Sequence, residues 1–402
     1  MKTSFLKTGH KPTLIAAFLY FDLAFMVWVI LGPLAPVIAK GLGLNAAEKG
    51  LMVATPTLAG AALRIVSGLL CDRLGPKLCG TINQLVVIAG LLFAWYVGVH
   101  SFAATLALGV ILGFAGASFA IALPLASRWY PREHQGKAMG IAGMGNSGTV
   151  LASLFAPTLA KMFGWNEVLG LACIPLTIVL VLYVLLAKDA PDQPAPKKLT
   201  AYFEPLKSAD AWWFMLFYSV TFGGFVGLAA SLSIYFTDMF GLTPVQAGYA
   251  TAGCVFVGSL VRPLGGALAD AIGGIATLTG VYCVAAAALA GVAMNPPTVV
   301  MALALFVVAM LALGCGNGAV FQLVPQRFGK EIGVMTGLVG MAGGVGGFYL
   351  ASSLGFAKQV TGSFSSGFLI FAGLALVALG GMTLVKGRWR TSWGGSAPGV
   401  RI

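Results

Sequence analysis

The sequence predicts an all-α membrane protein whose twelve transmembrane helices form two pseudo-symmetric six-helix bundles. Three observations carry this: the composition, twelve separate apolar runs, and an internal repeat. Of 402 residues, 58% are hydrophobic and only 9% charged, with a mean hydropathy of +0.92. Soluble domains average about 25% charged residues. A soluble fold of this size would leave much of that apolar surface in water, so the solvent for most of the chain is lipid.

A span needs about 20 mostly apolar residues. Such runs occupy 13–38, 47–70, 78–97, 102–125, 136–160, 168–187, 212–236, 245–269, 275–293, 298–323, 332–356 and 364–385. The first follows Lys2, Lys7 and Lys11, as a signal peptide's apolar run would. It is too long for an h-region of about 7–15 residues and no cleavage site follows, so it reads as a retained first helix. The alternation of barrel strands is absent. One long polar stretch, Lys188 to Ala211, carries Asp189-Ala-Pro-Asp-Gln-Pro-Ala-Pro-Lys-Lys198 and divides the spans six plus six. The expected organisation is an N-terminal bundle over 1–188, a cytoplasmic linker over 189–211, and a C-terminal bundle over 212–402 ending in a short basic tail.

The net charge of +12 would suggest nucleic acid in a soluble chain. Here Lys40, Lys49, Lys161 and Lys358 fall in loops on one side and Arg64 and Arg262 inside spans, while the other eighteen of the 24 basic residues lie on the opposite side. This is the positive-inside pattern. It predicts cytoplasmic termini in a multi-pass protein of the cytoplasmic (inner) membrane, with lipid as its surroundings and no nucleic-acid partner. His10, His100 and His134 are scattered, and the six cysteines show no metal spacing. No metal site, cofactor or enzyme active site is expected.

Sliding the second half over the first by 198 residues aligns Gly43-Leu44, Gly50 and Gly60 with Gly241-Leu242, Gly248 and Gly258. The same register aligns Arg64, Gly68, Asp72 and Gly75 with Arg262, Gly266, Asp270 and Gly273. An offset of 197 aligns Gly140, Gly143 and Met144 with Gly337, Gly340 and Met341. A parallel repeat of two six-helix halves is the architecture of major facilitator transporters. The segment Gly68-Leu-Leu-Cys-Asp72-Arg73-Leu-Gly75-Pro-Lys77 resembles that superfamily's loop motif between helices 2 and 3, with a weaker echo at Asp270. Asp72, Arg73 and Asp270 are therefore expected to act in gating, by latching helix ends in one of two states.

Arg64 lies eight residues before Asp72, or ~12 Å along a helix, which places it near mid-bilayer. Arg262 has the same depth in the other half. A charge there costs at least ~2.5–3.5 kcal/mol, and arginine does not escape it by losing its proton. Either each arginine pairs with a membrane carboxylate, or together they form a cationic site for a small oxyanion. Of the twelve acidic residues only Asp22 falls deep within a span, and one carboxylate does not neutralise two guanidiniums. Asp22 is the proton-coupling candidate, since a mid-span carboxylate marks a functional site by default. If it titrates, anion–proton symport becomes available; if it stays ionised beside an arginine, exchange follows. Small-residue faces on spans 5 and 11 allow close helix approach. Asn146, an amide in mid-span, should face a polar cavity. Gly143-x-Gly145-x-x-Gly148 lies inside a span, not after a strand, and is no dinucleotide fingerprint.

Arg64, Arg262, the stretch Ala138-Met-Gly-Ile-Ala-Gly-Met-Gly-Asn146-Ser-Gly148 and the stretch Gly333-Val-Met-Thr-Gly337-Leu-Val-Gly340-Met-Ala-Gly343-Gly344 together resemble the nitrate/nitrite porter family of the major facilitator superfamily. Gly140, Gly143, Gly145 and Gly148, with Gly337, Gly340 and Gly344, stand at its paired signature glycines. Further matches are Leu23-Ala-Phe-Met-Val-Trp28, Gly113-Phe-Ala-Gly-Ala-Ser-Phe119-Ala, Tyr218-Ser-Val-Thr-Phe222-Gly and Gly316-Asn317-Gly318-Ala-Val-Phe321-Gln322. The resemblance implies that Arg64 and Arg262 clamp nitrate or nitrite, that Asn146 hydrogen-bonds the anion, and that Phe119, Tyr218 and Phe222 line the site. Trp28, Asn317, Phe321 and Gln322 are further candidates for the cavity wall. Ala142 stands near where the family often has a second Asn. The implied function is secondary active transport of nitrate or nitrite by a monomer, as proton symport or nitrate/nitrite exchange, in nitrate assimilation or respiration. The competing readings are a porter for another small anion and a non-transporting nitrate sensor.

Overall fold

The computed structural model describes residues 5, 8–191, 200, 203–328, 332–393 and 402, without the side chains of residues 132, 133, 136 and 137. Among them the chain forms fifteen α-helices. Three spans of the first half are interrupted. Span 1 is α1 (Lys11–Trp28) and α2 (Leu31–Leu42), span 4 is α5 (Phe102–Ala117) and α6 (Phe119–Ser127), and span 5 is α7 (Arg132–Gly143) and α8 (Gly148–Phe163). The others are continuous: α3 (Ala46–Leu74), α4 (Pro76–Val97), α9 (Trp165–Leu186), α10 (Ala209–Phe240), α11 (Pro244–Ile272), α12 (Gly274–Ala293), α13 (Val299–Arg327), α14 (Ile332–Thr361) and α15 (Ser365–Ser392). Among the described residues, eleven spans are long and apolar enough to cross a membrane. The twelfth, span 5, is divided into pieces too short to qualify alone. The linker lies between α9 and α10, with 192–199 and 201–202 outside the described residues.

The interruptions have local causes. Pro33 cannot donate to the carbonyl of Val29, and its ring crowds that carbonyl; the helix breaks at Val29–Ile30. Between α7 and α8, Met144–Ser147 tightens to a 3₁₀ turn. There the Asn146 amide donates to the carbonyls of Gly143 (3.1 Å) and Met144 (3.3 Å). Such side chains compete with the backbone for helical hydrogen bonds. In the aligned stretch of α14, Gly343 and Gly344 stand where span 5 has Asn146 and Ser147, and α14 runs on unbroken.

The halves meet chiefly along three helix pairs, α3 with α14, α8 with α11, and α2 with α10. At the first of these, a Cβ on Gly344 would stand 2.8 Å from the Cβ of Ala61 and 3.0 Å from the Thr57 carbonyl. Helices α10 and α1–α2 are the most enclosed, whereas α4 and α11 turn much of their surface outward. Exposed residues such as Phe93, Leu185, Leu264 and Leu384 form a surface suited to lipid.

Candidate functional site

Arg64 is fully buried in α3. Its Nε donates to the Gly116 carbonyl at 3.1 Å, beside the break between α5 and α6, and its Nη1 donates to the Gly340 carbonyl on α14. Three aromatic rings surround the guanidinium: Phe119 at 5.1 Å, Phe222 at 5.2 Å and Trp28 at 5.3 Å. Each such face stabilises a desolvated cation by up to about 2 kcal/mol. Arg262, on α11, approaches the same Phe119 ring at 5.9 Å. Its Nη2 donates to the Tyr218 hydroxyl over a long 3.4 Å. Tyr218 stacks on Phe222 (5.0 Å, 4°) and meets Phe321 edge-on (5.0 Å). The two arginines therefore share one aromatic chamber, as their place in the repeat predicts.

Two guanidinium nitrogens, Arg64 Nη2 and Arg262 Nη1, are buried with no acceptor among the described residues. A buried donor without a partner costs about 1–3 kcal/mol, more when charged. Neither arginine forms an ion pair with a described carboxylate. This applies to Asp22 as well, so the reading of Asp22 as an arginine's ion-pair partner is not met. Asp22 is buried in α1 and accepts the Ser147 hydroxyl at 2.7 Å.

Other expected site residues are placed differently. Asn146 is buried in the 3₁₀ turn, with its side-chain amide facing the carbonyls of Gly143 and Met144. Gln322 turns away from the aromatic chamber: its Oε1 sits where a Cβ on Gly274 would come within 2.7 Å, at the start of α12. Trp28 is buried and donates to the Pro56 carbonyl at 2.7 Å. Asn317 is fully buried, and both polar atoms of its amide lack partners among the described residues. The signature glycines divide. Gly145 and Gly148 press on the backbone of α1 around Asp22, while nothing lies within 4 Å of a Cβ at Gly140 or Gly337, and at Gly143 only atoms 4.0 Å away. A Cβ on Gly340 would touch Phe119 at 3.3 Å.

A cavity of about 270 Å³ runs from Arg64 past Gly337 and Met139 to Asp72 and Arg128. It has room for a small anion and several waters at about 30 Å³ each. Arg128 donates to Asp72 at 2.8 Å, joining two helices of the same half. Asp270 and Arg73 are exposed at their helix ends. The opposite side is packed shut. There Gly50 and Gly355 bring the backbones of α3 and α14 together, the Ala46 amide donates to Gln359 Oε1 (3.1 Å), and Lys49 binds Asp238 at 2.9 Å. Two of these charged clusters were not foreseen. Lys49–Asp238 ties the halves together, and Asp210 accepts from Arg327 (2.6 Å), from Trp389 (2.8 Å) and from Arg388. Their signal in the sequence is only opposite charges at span ends, which gives no pairing.

A bundle of this repeat, with a buried charged chamber reached from one side, defines a secondary transporter of the major facilitator class. Residues 16–351 match the Major Facilitator Superfamily. In fold the chain is similar to a bacterial homolog of the human lysosomal transporter Spinster in an inward-facing conformation, with a TM-score of 0.74, 18% identity, and coverage of 96% of this chain and 98% of that one. It is 34% identical over 386 residues to the probable nitrate/nitrite transporter NarK2 of Mycobacterium tuberculosis, covering 92% of this chain and 95% of that one. It is 33% identical over 356 residues to the nitrite extrusion protein of Bacillus subtilis, covering 88% and 89%. The chain belongs to the nitrate/nitrite porter family of the major facilitator superfamily.

Proposed function

We propose that this protein moves nitrate or nitrite across the cytoplasmic membrane by alternating access, with the anion held between Arg64 and Arg262. The observation that carries the proposal is the pair of buried guanidinium donors without acceptors, Arg64 Nη2 and Arg262 Nη1, in one aromatic chamber. A planar, delocalised oxyanion accepts from guanidinium edges and lies well against aromatic walls. The names of the relatives support nitrate and nitrite as the anions. With cytoplasmic termini, the Asp72 side faces the cytoplasm and this state is open inward. The halves 1–188 and 212–402 would then rock about the chamber, breaking the contacts at Lys49–Asp238 as they do.

The test is nitrate uptake into proteoliposomes, either empty or loaded with nitrite, each with and without an inward proton gradient. Competition by nitrite but not by phosphate or lactate is the expected result. Failure of nitrite to compete would sink the proposal. Asp22 is the coupling candidate, and Ser147, which donates its hydroxyl to the Asp22 carboxylate, sits in the turn that carries Asn146. Asp22→Asn should abolish gradient-driven uptake into empty vesicles while leaving nitrate/nitrite counterflow. Persistence of proton-driven uptake in that variant would remove Asp22 from the coupling role.

The Lys49–Asp238 pair is partly exposed, so it contributes at most about 1 kcal/mol. Lys49→Ala should raise the population open on that side by no more than about fivefold. Distances between spin labels on the α2–α3 and α10–α11 loops would report it, and an unchanged distribution would show that helix packing alone holds that side closed.

A further inference from the structure

We infer that Asn317 is a positioning residue for Arg262, the acceptor that takes its guanidinium when the halves rock into the opposite-facing state. The inference rests on the reading of Arg262 as half of the anion clamp.

The two arginines are held unequally. Arg64 is anchored to two backbone carbonyls, Gly116 and Gly340. Arg262 has one long contact, to the Tyr218 hydroxyl, and its Nη1 is buried without an acceptor. The repeat shows what is missing. Leu112-Gly113 through Pro124 on span 4 aligns with Leu313-Gly314 through Pro325 on span 10, and sets Asn317 opposite Gly116. Packing supports that register. A Cβ on Gly113 would meet Ala59 and Gly60, one turn before Arg64, whereas a Cβ on Gly314 would meet Gly258 and Val261, just before Arg262. The position that anchors Arg64 in one half is therefore filled by an asparagine in the other.

The side chain at that position has a defined direction. A Cβ on Gly116 would run into the indole of Trp28, which lies 5.3 Å from the Arg64 guanidinium. The repeat thus directs the Asn317 side chain toward the place in this half that corresponds to the indole beside Arg64, on the Arg262 side of α13. The next residue, Gly318, packs its α-carbon against the Arg262 backbone, where a Cβ would come within 2.2 Å of the Arg262 carbonyl oxygen. Asn317 itself is fully buried, with neither its carbonyl nor its amino group bonded among the described residues. An unpaired amide in an apolar interior is costly. A neighbouring guanidinium with a free N–H is the donor that removes half of that cost, and Arg262 is the residue in this half that offers one.

The experiment uses the full chain in proteoliposomes, with nitrate/nitrite exchange as the rate assay, and in detergent, with sodium nitrate binding by calorimetry. Asn317→Leu keeps the branched shape and the number of heavy atoms, with bulkier methyl groups, and removes the acceptor. It should lower the maximum exchange rate at least tenfold and shift the half-saturating nitrate concentration less than threefold. Asn317→Asp keeps the acceptor and adds a charge that holds Arg262 as an ion pair. It should weaken nitrate binding at least tenfold in protein that still elutes as a monodisperse peak. A residue that only packs would not produce opposite signatures from the two variants. Wild-type exchange by Asn317→Leu, or wild-type nitrate affinity in Asn317→Asp, overturns the inference. Arg262→Lys separates it from the clamp: if that variant binds nitrate normally the clamp itself fails, whereas loss of binding there with two unaffected Asn317 variants removes Asn317 alone.

Discussion

Arg64→Lys and Arg262→Lys are each expected to lower nitrate exchange in proteoliposomes at least 100-fold, yet only the first should also destabilise the protein. Lysine keeps the charge but loses the planar fork and the delocalised face. At Arg64 that fork serves two backbone carbonyls and lies among three rings. An ammonium at that depth reaches one carbonyl and strands the other, at about 1–3 kcal/mol for the unsatisfied group. Among the described residues Arg262 holds one long hydrogen bond, to the Tyr218 hydroxyl, and one more distant ring, Phe119, so its replacement loses little of the fold. Thermal melting of purified protein should show a drop of several degrees for Arg64→Lys and almost none for Arg262→Lys. Near-normal exchange by either variant at normal expression would rule out the clamp. Equal stability of the two would contradict the unequal anchoring.

The signature glycines should separate just as sharply. At Gly148 a Cβ would lie 1.7 Å from the Asp22 carbonyl oxygen and 2.9 Å from the Met26 nitrogen. Both are backbone atoms of α1 and do not yield. Overpacking a core costs about 1–3 kcal/mol when side chains can shift, so a clash with backbone lies at or beyond the upper end. Gly148→Ala should give little folded protein by fluorescence-detected size-exclusion chromatography. Gly140→Ala and Gly337→Ala meet nothing within 4 Å and should run and melt as wild type. If Gly148→Ala were as stable as Gly140→Ala, the contact between α1 and the 3₁₀ turn would not be fixed as described.

What could be read from residue types alone follows from what the bilayer enforces. Lipid leaves no choice but long apolar helices, so the spans were legible to within a few residues. A charge in lipid demands a reason, so Arg64 and Arg262 stood out without any structure. The arrangement between them was less legible. The break at Val29 follows from Pro33 only once the helix is seen to end there, because Pro325 sits inside α13 without ending it. Asn146 is expected to face a polar cavity, and the 3₁₀ turn also puts its amide within reach of nearby carbonyls. That option depends on backbone geometry, not on residue type. Where Gln322 and Asp22 stand relative to the arginines was open for a related reason: helical spacing fixes depth along the axis, while the partner across the helix interface depends on rotation about it. The glycines on spans 5 and 11 look alike in sequence, and only the neighbouring backbone tells close packing from open cavity wall.

The scarcity of carboxylates around the arginines has an electrical consequence. The chamber itself holds two guanidiniums; counting the mid-span Asp22 in its ionised form, which pairs with neither, the buried charges sum to plus one, and a bound monoanion brings that sum to zero. Changing the side to which a neutral chamber opens moves no charge through the transmembrane field. Doing so with the anion gone shifts uncompensated charge across part of that field, at up to ~2.3 kcal/mol per elementary charge per 100 mV. An energised membrane would therefore oppose one direction of the unloaded step and leave the exchange of one monoanion for another untouched. The voltage across the bilayer, acting through two arginines, would then favour obligate exchange over slippage.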